Sequence, residues 1–582
     1  MGLSLDDNLS RNLHETTRSF GDAHATRSVW EARIRWTFLS ICTVCGAHLA
    51  YTTRYFVNGD AIAYFDMADA FGLGLWAELV NLHYSPGNAV LLGIVMKMLG
   101  LAPSSELLAA KVLNFLYYIC ALLALEVLLV QLETDEEFSS SNRFRRIPWV
   151  AFRSAAYGLF LVSSLLYVKI QVISPDMLVF CFTLLVAAVL VWIKKSAESY
   201  GKFVVLGLVT GFGYLCKTLF FPMTAVFVAL SALYCASVRK ALPRVLVATV
   251  VFLIVSAPLF MAISMRLGRL SFGESGNYNY SYFVSRKGSP TNIPERIWNR
   301  PQVDVYAGQS AIATFPSGFD LSYWNEGVTP SFDLDAQVSV LFRNVIALVD
   351  FTPCLYLAFL IWLCFQTRIA SSFSVNLRPP SLSILFGAIA VVGAGLFCLV
   401  LFEPRYVAPF VFLGFAALLL WPQYRLEAPG TMRAAQIGSA LITAVMVAMV
   451  VTGIWDQSFR ALCDRGAKQS YFRTYFENVA VKDFLNHRGV TKGHLVAIAG
   501  TPSSGIYWAR LSGVRAAGMI ADHQEFLATS TQDRQRALNA LRTRGFDAIV
   551  AGDQSFAGLQ QEGWCHVPGT HNFFVRFLDD GL

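Results

Sequence analysis

Between Trp36 and Ile454 the sequence keeps returning to unbroken apolar runs, of which MLVFCFTLLVAAVLVWI at 177–193 is typical. A bilayer core about 30 Å thick is crossed by about 20 residues of helix rising 1.5 Å each, so runs of this length predict an α-helical polytopic membrane protein. A transmembrane β-barrel is excluded, because barrel strands alternate apolar and polar residues and these runs do not. Composition agrees: 55% of the residues are hydrophobic and 15% charged, against about 25% charged in soluble domains. A soluble single-domain enzyme is therefore ruled out.

Length and helix breakers divide the runs into eleven predicted spans: 36–55, 104–131, 149–168, 176–193, 203–218, 220–238, 245–264, 338–366, 381–402, 407–422 and 434–454. With that division one set of loops collects the basic residues: Arg11, Arg18, Arg27, Arg33 and Arg35 in the N-terminal tail, then Arg143/Arg145/Arg146, Lys194/Lys195/Lys202, Arg239/Lys240/Arg244, Arg368/Arg378 and Arg425/Arg433. Positive loops face the cytoplasm, so residues 1–35 are read as a cytoplasmic, uncleaved tail and the net charge of +7 as a mark of topology. No basic groove or aromatic-interleaved basic patch points to nucleic acid.

The opposite side receives residues 56–103, the junctions near Ser174, Phe220 and Glu403, the loop 265–337 and everything beyond 455. Residues 36–455 thus form the membrane unit, with 56–103 and 265–337 as its outer segments. Ala89–Leu101 is apolar but too short to span and is expected to lie along the outer interface. Residues 456–582 change composition and predict a small extracytoplasmic α/β domain, with a helix near 480–486, strands at 494–499, 548–551 and 573–578, and a helix at 534–543. Cys463 and Cys565 lie in this polar region and are candidates to pair in an oxidising compartment. The loop 265–337 carries Tyr278, Tyr280, Tyr282, Trp298, Tyr306, Phe315, Tyr323 and Trp324, an aromatic content that favours a functional loop.

Most residues capable of chemistry fall on this outer side. GDAIAYFDMAD at 59–69 holds Asp60, Asp66 and Asp69 just after a span. On a helix starting near Asp60, Asp66 and Asp69 share a face, while Asp60 sits at the positive end of the helix dipole and either caps the helix or points its charge into a cavity. Asp176 follows Ser174 and Pro175 and opens a span, as a first-turn stabiliser or as a second inward carboxylate. Lys217 ends an apolar run, where a cation must snorkel outward or meet an anion. Arg405 either pairs with neighbouring Glu403 or offers its planar fork to a phosphate. Tyr64, Asp66, His83, Tyr84 and Tyr406 complete the polar set as possible substrate contacts, with Asp66 and Asp69 otherwise read as solvated or structural groups, and a lone His is more often structural than a ligand. Carboxylates beside cations at the lipid–water boundary suit a substrate with an anionic head and a long hydrocarbon tail.

These motifs, in this order, resemble the GT-C class of integral-membrane glycosyltransferases, within the protein O-mannosyltransferase and aminoarabinose transferase superfamily. The residues carrying the resemblance are Asp60 in GDAIAYFDMAD, YSP at 84–86, PD at 175–176, GFGYLCK ending in Lys217, RY at 405–406 and YWARLSGVR at 507–515. It covers most of the chain. The resemblance implies a hexosyl or pentosyl donor carried on a polyprenyl phosphate, a hydroxyl acceptor, catalytic carboxylates falling on Asp60 and Asp176, and donor-phosphate contacts falling on Lys217 and Arg405. It implies a multi-pass protein of the cell envelope, in a bacterial inner membrane with its site facing the periplasm or exterior. In-line attack opposite the phosphate implies inversion at the sugar carbon. Some relatives hold a divalent cation; Asp60, Asp176 and His83 are the oxygen and nitrogen donors here for Mg or Mn, and the nearby cations argue against an obligatory metal. Protein O-mannosyltransferases carry an adjacent Asp-Glu pair where Asp60 is followed by Ala61, which leaves the acceptor class (lipid, glycan or protein) open. A transporter or lipid flippase without covalent chemistry is the competing reading, but it predicts internal repeats and helices broken at the midplane, and polar residues gathered on one face favour an enzyme.

Overall fold

The computed structural model describes residues 32–101, 103–136, 144–145, 149–285, 295–306, 314, 330–357, 359–360, 381–421, 424–425, 429–466, 468–500 and 506–578. The tail residues 1–31, Arg143, Arg146, Arg368, Arg378, and the loop aromatics Phe315, Tyr323 and Trp324 lie outside the described residues.

Helix α1 covers 32–52. It is followed by α2 (Gly59–Leu73) and α3 (Gly87–Leu99), each closed by a left-handed glycine, Gly74 and Gly100. Next come α4 (Pro103–Glu133), α5 (Trp149–Val168), α6 (Asp176–Lys195), α7 (Tyr200–Cys216), α8 (Phe220–Ala232) and α9 (Val238–Leu267). Then follow α10 (Leu334–Phe351), α11 (Ser381–Cys398), α12 (Pro404–Leu420) and α13 (Pro429–Leu462). Each predicted span overlaps a helix among the described residues, and positions 358 and 361–366 of the span at 338–366 lie outside them. Among the described residues, six helices are long and apolar enough to cross a membrane: α4, α5, α6, α9, α11 and the 440–462 part of α13. The predicted spans at 203–218, 220–238 and 407–422 fall on α7, α8 and α12, helices of 17, 13 and 17 residues, shorter than the roughly 20 of a straight crossing. Helix α3, also short, coincides with the expected interfacial helix.

At one end of the bundle sits a seven-stranded sheet. Its strands are β1 (Glu295–Trp298), β2 (Val303–Val305), β3 (Leu495–Ala499), β4 (Arg515–Ile520), β5 (Phe546–Ala551), β6 (Trp564–His566) and β7 (Phe574–Phe577), in the order β1-β2-β4-β3-β5-β7-β6. The central strand β3 pairs parallel with β4 and β5, and the outer pairs are antiparallel. Four of these strands were not foreseen: β1 and β2 come from the long loop, where the aromatic content masks the strand pattern, and β4 and β6 were not singled out. Helix α14 (Tyr471–His487) and the single buried turn and a half α15 (Tyr507–Ser512) join the sheet to the bundle. Cys463 and Cys565 are both free thiols.

The apolar core is continuous from the bundle into the inner face of the sheet unit. Close helix packing depends on small residues. On α7 a Cβ at Gly207 would stand 2.4 Å from the Ala248 carbonyl oxygen of α9, and one at Gly211 would stand 2.7 Å from the Val255 Cβ. This small-xxx-small spacing lets two backbones approach and so fixes where α7 ends, which is where Lys217 stands.

Candidate functional site

The residues leading into α2 and α6 are tied to each other before either helix begins. Asn58 occupies the N-cap position of α2 but makes no side-chain cap. Its amide instead pairs with the backbone of Ile173 in both directions: Nδ2 donates to the carbonyl at 3.2 Å, and the Ile173 N–H donates to Oδ1 at 2.9 Å. A side chain acting as a peptide group thus holds Asp60, two residues on, beside Asp176, three residues on. Asn114 of α4 supports the same loop by donating to the carbonyls of Ile170 and Val172, and Lys111 donates to that of Gln171.

Between these helix starts and the ends of α7 and α11 lies a cavity of about 310 Å³ lined by Asp60, Tyr64, His83, Tyr84, Asp176, Lys217, Arg405 and Tyr406. Lys217 Nζ lies 2.6 Å from Asp176 Oδ1, and Arg405 reaches both carboxylates, at 3.1 Å from Asp60 Oδ2 and 3.6 Å from Asp176 Oδ2. Ser174 donates to the other oxygen of Asp176 at 2.9 Å, and Tyr84 donates to Asp60 Oδ1 at 3.0 Å. The Tyr406 ring carries Lys217 Nζ 3.4 Å from its centroid. Two anions and two cations therefore balance, which is what makes four charges tolerable in one partly buried site.

The four are not equally open. Side-chain exposure is 3% for Asp176 against 31% for Asp60. Asp60 is the second residue of α2 rather than its cap, and the ion pairs of Arg405 go to Asp60 and Asp176, where the sequence offered Glu403. Asp176 is the first helical residue, with Pro175 one place earlier as the cap. His83 packs edge-on against Tyr84 and Tyr278 at 4.8 and 5.4 Å. Burial holds its imidazole down to about 4, so it is neutral at physiological pH. Burial likewise holds the Tyr84 phenol well above its usual value and keeps it a donor.

The donor set does not fit a divalent cation. Asp60 and Asp176 already face a guanidinium and an ammonium, and a third positive centre between them would meet repulsion from both. Among the described residues no group of three acidic, His or Cys side chains is arranged to hold a metal.

Asp66 departs from the expected substrate-contact set. It is absent from the cavity lining and lies on another face of α2, where Asp66 and Asp69 share Arg510 Nη1 at 3.0 and 2.6 Å. Their i, i+3 spacing was legible, but their partner lies more than four hundred residues away in sequence. Asn58 and Arg510 were not singled out by sequence reasoning. An Asn before a helix reads as an ordinary cap, and Arg510 belonged to a quoted motif without a role.

No family model matches the chain, and no curated protein matches it. Solved structures do. ArnT from Cupriavidus metallidurans in the apo state superposes with a TM-score of 0.53 at 12% identity, covering 94% of this chain and 98% of that one. The same protein bound to undecaprenyl phosphate gives 0.52 at 12% identity with the same coverage. The Archaeoglobus fulgidus oligosaccharyltransferase gives 0.48 at 10% identity, over 90% of this chain and 70% of that one. The fold is that of ArnT, an aminoarabinose transferase of the GT-C class, in keeping with the resemblance read from the motifs.

Proposed function

We propose that this protein is a membrane glycosyltransferase that moves a hexosyl or pentosyl group from a polyprenyl phosphate to a hydroxyl acceptor. The observation that carries the reading is the convergence of Asp60, Asp176, Lys217 and Arg405, from four distant segments, on one cavity in a fold shared with ArnT, which has been crystallised with undecaprenyl phosphate.

In the resting site the two cations are held by carboxylates. A phosphate monoanionic diester entering beside them competes for the fork of Arg405, for which its oxygens are well shaped. Lys217 keeps Asp176, so the ammonium stays aimed at the cavity. As Arg405 turns to the phosphate, Asp60 loses its countercharge and gains basicity, so donor binding itself arms the base. The acceptor oxygen then attacks the anomeric carbon opposite the phosphate. The new C–O bond forms as the bond to the phosphate oxygen breaks, the acceptor proton passes to Asp60, and the lipid phosphate departs with the bonding pair. Attack from the far side inverts the anomeric centre. The leaving group needs no proton because Lys217 and Arg405 stabilise its growing charge. Asp176 is too enclosed to reach the acceptor and acts by orienting the two cations.

The same reading assigns the cavity and residues 456–582 to the periplasmic or outer face of a bacterial inner membrane. Its test is transfer by the purified protein in lipid nanodiscs, supplied with polyprenyl-phosphate sugars extracted from the source cells. Asp60→Asn should lower turnover by at least the 10²–10⁴-fold typical of a lost general base, with folding and lipid-phosphate binding intact. Lys217→Ala should weaken donor binding about 10- to 100-fold, the loss of one charge-assisted contact. Full turnover by Asp60→Asn excludes Asp60 as the base.

A further inference from the structure

The motif YWARLSGVR has no part in the cavity, yet its Arg510 occupies one of the most heavily bonded positions in the molecule. From α15 its guanidinium reaches Asp66 and Asp69 of α2 through Nη1, at 3.0 and 2.6 Å. It also reaches Glu106 of α4 through Nη2 at 2.8 Å and through Nε at 3.2 Å. Its side chain is 7% exposed and that of Glu106 is 0% exposed. Thr314, from the long loop, donates backbone N–H and hydroxyl to Asp66 at 2.8 and 2.7 Å. One cation in the sheet-bearing unit therefore binds the helix that carries Asp60 to the first long helix of the bundle.

The helix geometry says what this grip does. Asp66 stands about 9 Å along α2 from Asp60 and about 120° around it, and Asp69 lies on the face opposite Asp60. Held from that face by Arg510, α2 keeps its distance from the cavity, and its N-terminal end is pinned through Asn58 to Ile173. The helix is thus fixed at two points, one at each side of Asp60's reach.

We propose that Arg510 is a positioning residue for the transfer reaction: it sets the axis of α2 so that the Asp60 carboxylate stands against Arg405 and Tyr84. This rests on the function proposed above. Arg510 touches no substrate and acts through Asp60, so its loss lowers the rate of the chemical step and leaves donor binding at Lys217 alone.

The test measures two things in nanodiscs: steady-state transfer, and amide exchange of α2 and α3 by mass spectrometry. Arg510→Ala strands the buried carboxylates of Asp66 and Glu106 and is expected to fold poorly. The informative variant is therefore Arg510→Met combined with Asp66→Asn and Glu106→Gln, which leaves one acidic group at the partly open position 69. It should lose about 100-fold in kcat, the scale of an ångström-sized misplacement, with the donor KM within about threefold of wild type, and α2 amides should exchange faster while α3 is unchanged. Arg510→Lys, a point charge without the fork, should keep the fold and recover only part of kcat. Unchanged kcat, a KM that rises in step, or unchanged α2 exchange overturns the proposal. If the wild-type protein transfers no sugar, the functional reading fails, and the exchange of α2 still decides whether Arg510 holds it.

Discussion

A neutral histidine near a carboxylate needs a cause, and at His83, near Asp60, the cause is burial under Tyr84 and Tyr278. The consequence is a pH dependence with a definite sign. Unfolded, the imidazole takes a proton near 6.5, and folded near 4. Across that window the unfolded chain binds more protons, so the contribution to stability is complete above 6.5 and is lost as pH falls toward 4. Asp60 opposes and Lys217 assists this depression, and burial outweighs both. Asp66, held up to about 6 by burial against the pull of Arg510, slopes the other way over part of the same window. The comparison is therefore between wild type and His83→Gln: thermal midpoints measured from pH 7 down to 4 should converge as pH falls, and parallel curves would show that His83 does not titrate there.

At the scale of elements, the site is only as well placed as the ends of α7 and α2. Helix α7 is set by Gly207 and Gly211 against α9, and neither neighbour is a flexible side-chain tip: the atoms in the way are a carbonyl oxygen and valine Cβ atoms. Gly207→Ala should therefore cost about 1–3 kcal/mol, as overpacked interiors do, read as a lower unfolding midpoint in nanodiscs. A gain in stability, as an unobstructed helical glycine would give, would contradict the packing. Gly87 plays a similar part where α3 begins. A Cβ there would meet the Leu215 carbonyl oxygen at 2.7 Å, which gives a physical reason for Gly87 after YSP.

For the whole molecule, Asp176 meets the charged cavity at the start of α6 while Lys194 and Lys195 stand in the last turn of the same helix, so the cavity lies at the end away from those lysines. A membrane-impermeant maleimide added to intact spheroplasts should label Cys463, which is exposed at the start of the C-terminal region, and Cys463→Ser should remove most of that signal. A cysteine introduced at exposed Arg239 should label only after the membrane is opened. The reverse pattern would invert the topology and put the proposed site in the cytoplasm. The α/β unit is not self-contained. Its sheet takes β1 and β2 from the long loop, its core is continuous with the bundle, and Arg510 bonds it to α2 and α4.

Hydrophobic run length, loop charge and local caps are properties of neighbouring residues, and so the apolar helices, the short one after YSP among them, were legible in order along the chain, as were the four residues Asp60, Asp176, Lys217 and Arg405 that meet in one cavity. Which partners those charges take was not, because a carboxylate's partner is chosen by three-dimensional proximity across hundreds of residues. The pairing of Asp66 with Asp69 on one helix face was legible but their partner Arg510 was not, and nothing local set Asn58 apart until Ile173 came within reach of its amide. Three of the four unforeseen strands, β1, β2 and β6, stayed hidden for the same reason: three or four residues acquire strand character only from the neighbour they pair with. Tertiary structure alone decided the roles, since a side chain's chemistry in a buried site is set by what faces it.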